Sequence, residues 1–537
     1  MILYPENAAE ILGFQEVLKA LAAYAETREV KDQLLALSPV HDPQKIRESL
    51  RRIEACMRLL RQGETLPSGS FRDITPWLKK VAPGNSILTQ DEVHKVGLWL
   101  QSIKSVIAFL KGRSEQYPEL AQLIPNIQTP DALHALITRQ ISPEGRIRDD
   151  ASPALQSIRS SIHSISGQVR KLVDRIHRHA RDQGWSDDKQ ATIRNNRLVI
   201  PIISDFKGKI QGFVQDVSQS GQTLFIEPAE ALALNNEVNE LSIRERNEIY
   251  KILLGLADAI REAMPMLRHW EYFMQLLERL MAQAKLAIAL HAEIPGMDPS
   301  GDILKLTEAR NPLLLLQKQQ QVVPMSLDLN RRQRVMIISG PNAGGKSVAL
   351  KTAGLIQLMF QAGMPVPAER SSVLPVLSHL MVDLGDGQSI ENDLSTYTAH
   401  LSHLRHFLEH AHENTLFLID ELGTGTDPRS GGPIAAAILE SLVNKEAYGI
   451  VTTHYSDLKA LPGRNPAVFN ASMHFNLQDF TSSFRLITGT PGSSYAFEIA
   501  ARAGIPQYVL DRGRQVMGKA SAGAEELMAA AARDKEE

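Results

Sequence analysis

The stretch Val335-Met-Ile-Ile-Ser-Gly340-Pro341-Asn342-Ala343-Gly344-Gly345-Lys346-Ser347 sets the character of the C-terminal part of this chain. Its apolar run, Val335 to Ile338, reads as a strand buried on both faces. The segment Gly340–Ser347 fits G-x-x-x-x-G-K-[ST], and a helical pattern follows it. Glycines there let backbone N–H groups wrap phosphates, and the helix N-terminus adds positive potential. Lys346 is then suited to the β- and γ-phosphates of a nucleotide and Ser347 to Mg²⁺. An ordinary Gly-rich turn would not account for the strand before it and the helix after it.

From about residue 300 onward, strands alternate with helices. Leu416 to Ile419 and Gly449 to Thr453 read as strands, and a helix is expected after Pro433. That alternation predicts a mostly parallel α/β sheet. Leu416-Phe-Leu-Ile-Asp420-Glu421 is an apolar strand ending in two acids, the form of a Walker B element. Asp420 suits a Mg²⁺ ion held through water, and Glu421 suits orienting or deprotonating an attacking water. Alone, such a run merely marks a strand leaving the core; beside a P-loop it gains chemical meaning. His454 ends the strand from Tyr448. A lone strand-end histidine is usually structural, but this edge of a parallel sheet is where ligands bind, so His454 is a γ-phosphate contact or sensor.

Upstream, residues 1–150 read as short helices and turns with no catalytic pattern. Ile46, Leu50, Ile53, Met57 and Leu60 form one apolar helical stripe, and Thr89-Gln-Asp-Glu92 is a capping box. Ser152-Pro153 then starts a helix whose Leu155, Ile158, Ile162, Ile165, Val169, Leu172 and Ile176 keep a coiled-coil seam. Running to about residue 182, it would be roughly 45 Å long. β-rich runs follow at Ala191–Arg194, Arg197–Ser204, Ile210–Val217 and Thr223–Ile226, before a second long helical stretch from about Pro228 to Met264, ended or kinked by Pro265. Helix out, small sheet, helix back describes an arm with a β tip. Its helix carries Arg159, Arg170, Lys171, Arg175, Arg178 and Arg181, and its tip carries Lys189, Arg194, Arg197, Lys207 and Lys209 against Asp187, Asp188 and Asp205. Basic side chains on an arm suit phosphates without reading bases; a charge-rich face is otherwise merely solvated.

The chain has 537 residues, 43% of them hydrophobic, and a net charge of −3. That length predicts several domains with ample core, and the near-neutral balance restricts any nucleic-acid surface to a local patch. No apolar run is long enough for a membrane span, and the start, Met1-Ile-Leu-Tyr-Pro-Glu6, lacks the features of a secretory signal, so a cytoplasmic protein is expected. The single Cys56 lies in an amphipathic helical pattern and reads as a small core residue rather than part of a disulfide or metal site.

The order Gly340–Ser347, Ser395-Thr-Tyr-Thr398, Asp420-Glu-Leu-Gly-Thr-Gly-Thr-Asp-Pro428 and Thr452-Thr-His-Tyr455 resembles the four ATPase motifs of the MutS family, relatives of the ABC ATPases. Asp386-Gly-Gln-Ser-Ile-Glu391 adds to that likeness. So does Glu308-Ala-Arg-Asn-Pro-Leu313, although Asn311 stands where the family commonly has histidine. Ser218-Gln-Ser-Gly-Gln-Thr-Leu-Phe-Ile-Glu-Pro228 and the short helical start are similar to the type-two bacterial branch. Phe14-Gln-Glu16 and Phe225-Ile-Glu227 match the mismatch wedge triplet of other members, but both read as packing.

The resemblance implies a multidomain fold: an all-α core (1–150), a lever helix and β clamp (151–227), returning lever and core helices (228–299), an ABC-like α/β P-loop ATPase domain with C-terminal dimerisation helices (300–515), and a frayed or truncated helical tail (516–537). It implies a homodimeric, ATP- and Mg²⁺-dependent ATPase that clamps branched or double-stranded DNA and suppresses recombination without reading mismatches. The alternative is an rRNA-binding factor that splits or rescues collided ribosomes. A transporter subunit fits poorly, since the chain has its own arm and no membrane helix. The implied nucleotide contacts are the P-loop and Ser395, with Ser395 reaching the partner chain's γ-phosphate. Ala500-Ala-Arg-Ala-Gly-Ile-Pro506 looks like a helix-turn-helix, but the family likeness implies subunit pairing there. Type-two members normally end in an Smr nuclease domain; the sequence stops before one, so no nuclease activity is expected of it.

Overall fold

The computed structural model describes residues 1–67, 69–186, 190–317, 321–341, 344–385, 393–476, 481–492, 497, 500–501 and 503–517, with the side chains of 393–396, 428, 476, 481 and 517 outside that description. Its strands are β1 (Ile2–Tyr4), β2 (Thr192–Arg194), β3 (Arg197–Ile203), β4 (Gly212–Val217), β5 (Thr223–Pro228), β6 (Gly296–Asp298), β7 (Ile303–Ala309) and β8 (Met325–Asn330). There follow β9 (Val335–Ser339), β10 (Val373–Pro375), β11 (His379–Asp383), β12 (Thr415–Ile419), β13 (Tyr448–Thr452), β14 (Val468–Asn476) and β15 (Thr481–Thr488). The chain divides into two compact units, one of residues 1–65, 110–123 and 275 onward, the other of residues 66–109 and 124–274.

The first unit is built on a seven-stranded sheet in the order β1-β11-β12-β13-β9-β14-β15. All neighbours run parallel except β14 and β15. β9, β12 and β13 are buried at every residue, which is why they read as unbroken apolar runs. The Lys346–Gln361 helix is buried along most of its length, and Gly354 permits its approach: a Cβ there would lie 2.6 Å from Leu418 and 2.9 Å from Leu12. Its buried amides donate to carbonyls of neighbouring segments, Gln357 to that of Pro375 (2.8 Å) and Gln361 to those of Val40 (2.9 Å) and Leu377 (2.8 Å). A second sheet has the order β6-β10-β7-β8.

Two details differ from the sequence reading. β1 pairs in parallel with β11, Ile2 opposite His379 and Tyr4 opposite Met381, so the first residues complete the edge of this sheet. Three residues are too few to show a period. The helix expected after Pro433 begins at Pro428, because the Asp427 side chain accepts the Arg429 N–H (3.2 Å) and a proline at the first position has no N–H to satisfy. Cys56 is fully buried in this unit, and burial pushes its thiol up to about 12.

In the second unit the helix Pro153–Asp182 runs antiparallel to Leu232–Glu262. The direction follows from Ser152 donating to Glu248 (2.8 Å), Arg159 pairing with Glu245 (2.7 Å) and Arg175 with Glu230 (3.2 Å). Ser152 also caps Leu155 N–H, the boundary expected from Ser-Pro. Between these helices in sequence lies an antiparallel sheet in the order β2-β3-β5-β4. Its inner residues Ile200, Ile202 and Ile226 form one core with Val169, Val173 and Ala180 of the helix. The second helical stretch ends at Glu262, and a separate helix, Met264–Ala289, starts at the Met-Pro pair.

Candidate functional site

Because β9, β12 and β13 are parallel neighbours or next neighbours, their C-terminal ends share one edge of the sheet. The segment Gly340–Ser347 follows β9, Asp420-Glu421 follows β12, and Thr453-His454 follows β13. Gly340 (φ +133°) and Gly345 (φ +89°) take backbone angles that side chains disfavour, turning the loop into the helix. Asn342 and Ala343 lie outside the described residues; Pro341 and Gly344 flank them, and the Gly344 N–H donates to the Pro341 carbonyl (2.9 Å).

Lys346 is 2% exposed. Its Nζ donates to the Gly340 carbonyl (2.7 Å) and lies 3.0 Å from Nε2 of His454. Burial pulls the ammonium down to about 8, against the opposing pull of the Glu421 and Asp420 carboxylates. Burial, then Lys346, lowers the His454 imidazole below its ordinary value, which favours its neutral form. Ser347 Oγ donates to one oxygen of Asp420 (2.5 Å) and Thr452 Oγ1 donates to the other (2.5 Å). Thr452 Oγ1 in turn accepts the Glu421 N–H (2.7 Å), fixing the backbone of Glu421 in a left-handed conformation, φ +51°. The turn after it is packed by the fourth motif: Tyr455 Oη donates to the Gly423 carbonyl (3.0 Å), and a Cβ at Gly423 would lie 2.7 Å from the Tyr455 ring.

Ser347 and Asp420 offer a hydroxyl and a carboxylate side by side, hard oxygen donors of the kind Mg²⁺ takes from a protein while keeping water and phosphate oxygens for its other positions. The donor set fits that ion. On the other side of Gly345 lies an apolar cavity of about 280 Å³, lined by Leu314, Val348, Thr352, Met473 and Phe484 among others. Phe484 and Met473 carry no sequence signal, since they come from strands that follow the motifs by many residues. Asn311 borders the same cavity. It caps the Pro312–Leu316 helix through Oδ1 and donates from Nδ2 to Thr352 (2.9 Å), which accounts for an asparagine at that place.

Ser395 belongs to the Asp393–His410 helix, but its side chain, like the loop 386–392, lies outside the described residues. Lys189, Asp187 and Asp188 do too, as do Arg502 and the tail from 518. Ala500 and Ala501 close a helical turn through Ile505 N–H to Ala500 C=O (3.1 Å), with Gly504 at φ +88°, before the helix Gln507–Met517.

The basic residues of the second unit separate into two groups. Arg197 is bound to the fully buried Glu227 (2.6 Å), which also accepts from Asn235 (2.9 Å) and Gln215 (2.7 Å). Arg194 pairs with Asp216 (3.2 Å) and stacks 4.7 Å from the Phe225 ring centroid. Lys207 and Lys209 lie exposed on the turn Ser204–Lys209. Arg170, Arg178 and Arg181 line a groove of about 960 Å³, with Asp174, Thr192 and Asn196.

Residues 336–520 match the family model for MutS domain V. The chain is 37% identical, over an aligned length of 541 residues, to an endonuclease MutS2 of Thermomicrobium roseum, covering 98% of this chain and 67% of that protein. The chain belongs to the MutS family, in its MutS2 branch. MutS2 proteins of Halothermothrix orenii and Pelotomaculum thermopropionicum are 34% and 35% identical, matched over 95% and 97% of this chain. The chain spans 67% and 65% of the length of the Thermomicrobium and Halothermothrix proteins. Among the described residues of this MutS2 chain, no helix is long and apolar enough to cross a membrane.

Proposed function

We propose that this chain is a Mg²⁺-dependent ATPase that works as a homodimer and closes its helical arms around branched or double-stranded DNA, restraining recombination without reading mismatches. The observation that carries the ATPase reading is the convergence of Lys346, Ser347, Asp420 and His454 at one sheet edge. Lys346 would bind the β- and γ-phosphates, with backbone N–H groups of Gly340, Gly344 and Gly345 beside it. Ser347 and Asp420 would hold Mg²⁺, which neutralises charge on the phosphate oxygens. Glu421 would orient the attacking water and take its proton, and His454 would contact the γ-phosphate from the neighbouring strand. The apolar cavity by Phe484 suits the flat, apolar faces of a nucleobase.

Dimerisation is supported by the family and by the helix Gln507–Met517, where Tyr508 and Val516 are 75% and 74% exposed. In the dimer, Ser395 would complete the partner's site. Mixing a Ser395→Ala chain with a Lys346→Ala chain should then restore part of the ATPase activity that each lacks alone; no rescue after demonstrated subunit exchange overturns this arrangement. For the arm, the exposed Lys207 and Lys209 and the groove arginines Arg170 and Arg178 suit phosphates better than Arg194 and Arg197, which carboxylates already hold. ATPase rates measured side by side with four-way junctions, linear duplex and ribosomes test the partner: stimulation by ribosomes alone overturns the DNA reading. The named relatives are called endonucleases; no described residue of this chain is assigned to phosphodiester cleavage.

A further inference from the structure

Beside the site, one buried carboxylate holds two histidines that the sequence motifs leave unexplained. Asp383 ends β11 and is 4% exposed. Its Oδ2 meets Nδ1 of His400 and its Oδ1 meets Nδ1 of His403, each at 2.8 Å. Its backbone carbonyl accepts the Asp420 N–H (2.9 Å). One residue therefore fastens the Asp393–His410 helix to the strand end that carries Asp420 and Glu421. An ionised carboxylate only accepts, so each histidine presents Nδ1–H to it and the orientation of both rings is set. The two hydrogen bonds hold the Asp383 carboxyl below its usual range although burial pushes the other way.

The far edge of the His400 ring is what matters here. Cε1 and Nε2 lie against the backbone of Gly385, 3.6 Å from the place a Cβ would take. His400 also lines a cavity of about 20 Å³ with Tyr397, Asp420, Glu421 and Thr424. That is the size of a single water. A nucleophile, a base and a group that orients the base form the usual logic of a hydrolytic site. The Glu421 backbone is held in a sparsely populated conformation that fixes where the side chain starts but not where it ends, so the carboxylate needs an orienting partner.

We propose that His400, aimed by Asp383, is a positioning residue for Glu421: through one water in the shared cavity, its Nε2 edge holds the Glu421 carboxylate in the orientation used for hydrolysis. The proposal rests on the ATPase reading above. It gives the Asp383–His400 pair a role that a plain helix anchor would not have, and two substitutions separate the roles. His400→Asn keeps a donor where Nδ1 stands, facing Asp383, and removes the far edge. His400→Gln keeps a polar atom near the position of Nε2 and gives up the Asp383 bond.

Steady-state ATPase assays of the full chain, with thermal unfolding of each variant, decide between them. His400→Asn should lower kcat roughly 10- to 100-fold, the usual loss when an orienting partner is removed, with KM for ATP and Tm unchanged. His400→Gln should keep the larger share of activity. In a Glu421→Gln background, His400→Asn should cause no further loss, because the two act as one unit. His406→Gln, on the same helix and stacked on Tyr4 instead, should stay within about twofold of wild type. Better activity in the asparagine than in the glutamine variant, multiplying losses in the double variant, or an equal loss in His406→Gln each overturns the proposal alone. Wild-type turnover in Glu421→Gln overturns the catalytic assignment beneath it as well.

Discussion

Lys346 and Arg197 are both cations held against buried surroundings, yet they sit in opposite kinds of environment. Lys346 is enclosed at a sheet edge, where its ammonium meets a carbonyl and an imidazole, and the nearby Asp420 carboxylate is taken up by Ser347 and Thr452. Burial lowers its pKa although the Glu421 and Asp420 carboxylates pull the other way. Arg197 instead neutralises Glu227, a carboxylate with no exposure at all, and Gln215, Asn235 and Asn236 complete that cluster. Its charge is already used. Basic residues of one sequence are thus set in different surroundings by what the fold places opposite them.

Substitutions can test this contrast from both sides. The steepest loss belongs to the sheet edge: Glu421→Gln should still bind ATP, measured by a fluorescent analogue, while hydrolysing it at least ~100-fold more slowly, as removal of a general base requires. Lys346→Ala should lose tight binding as well, and unchanged affinity there would sink the reading of Lys346 as a phosphate ligand. Next, Arg197→Ala should destabilise the second unit by about 3 kcal/mol, seen by denaturant unfolding, because it strands the Glu227 charge in the interior; Glu227→Gln in the same chain should recover much of the loss. Unaltered unfolding in Arg197→Ala would mean that Arg197 is free for nucleic acid after all.

A more modest change is expected from neutralising Lys207, Lys209, Arg170 and Arg178 together. Duplex affinity should fall and the dependence of log K on log salt should flatten by roughly 0.9 for each phosphate no longer neutralised, with ATPase activity in the absence of DNA retained. An unchanged salt slope would move the DNA path off this surface. Least affected should be Arg194→Gln, whose half-exposed pair with Asp216 contributes no more than about 1 kcal/mol to stability in the same unfolding measurement.

Much of the first unit is legible because its signals are local. An apolar strand buried on both faces, a glycine-rich turn and a following helix occupy one short stretch, so this strand-turn-helix unit shows itself without knowledge of the fold. The same holds for Asp420-Glu421 at a strand end and for the Ser152-Pro153 helix start, where the cap and the proline act within one turn. The helix after Asp427 marks the limit of such reading: Pro433 suggests a boundary, but the capping carboxylate further upstream sets it.

Neighbouring residues alone carry the alternating α/β character from residue 300, the glycine-rich Gly340–Ser347 motif and the acid pair, and the two long helices flanking a small sheet. Pairings between distant residues came only with the folded chain. Folding joined Ile2–Tyr4 to β11, lined the cavity beside Gly345 with Phe484 and Met473, gave Asp383 to His400 and His403, and gave Arg197 to Glu227. The reason is physical: periodicity and capping are fixed by interactions within a few residues of the chain, whereas the partner of a buried charge is whatever the packing of remote segments brings within hydrogen-bond reach.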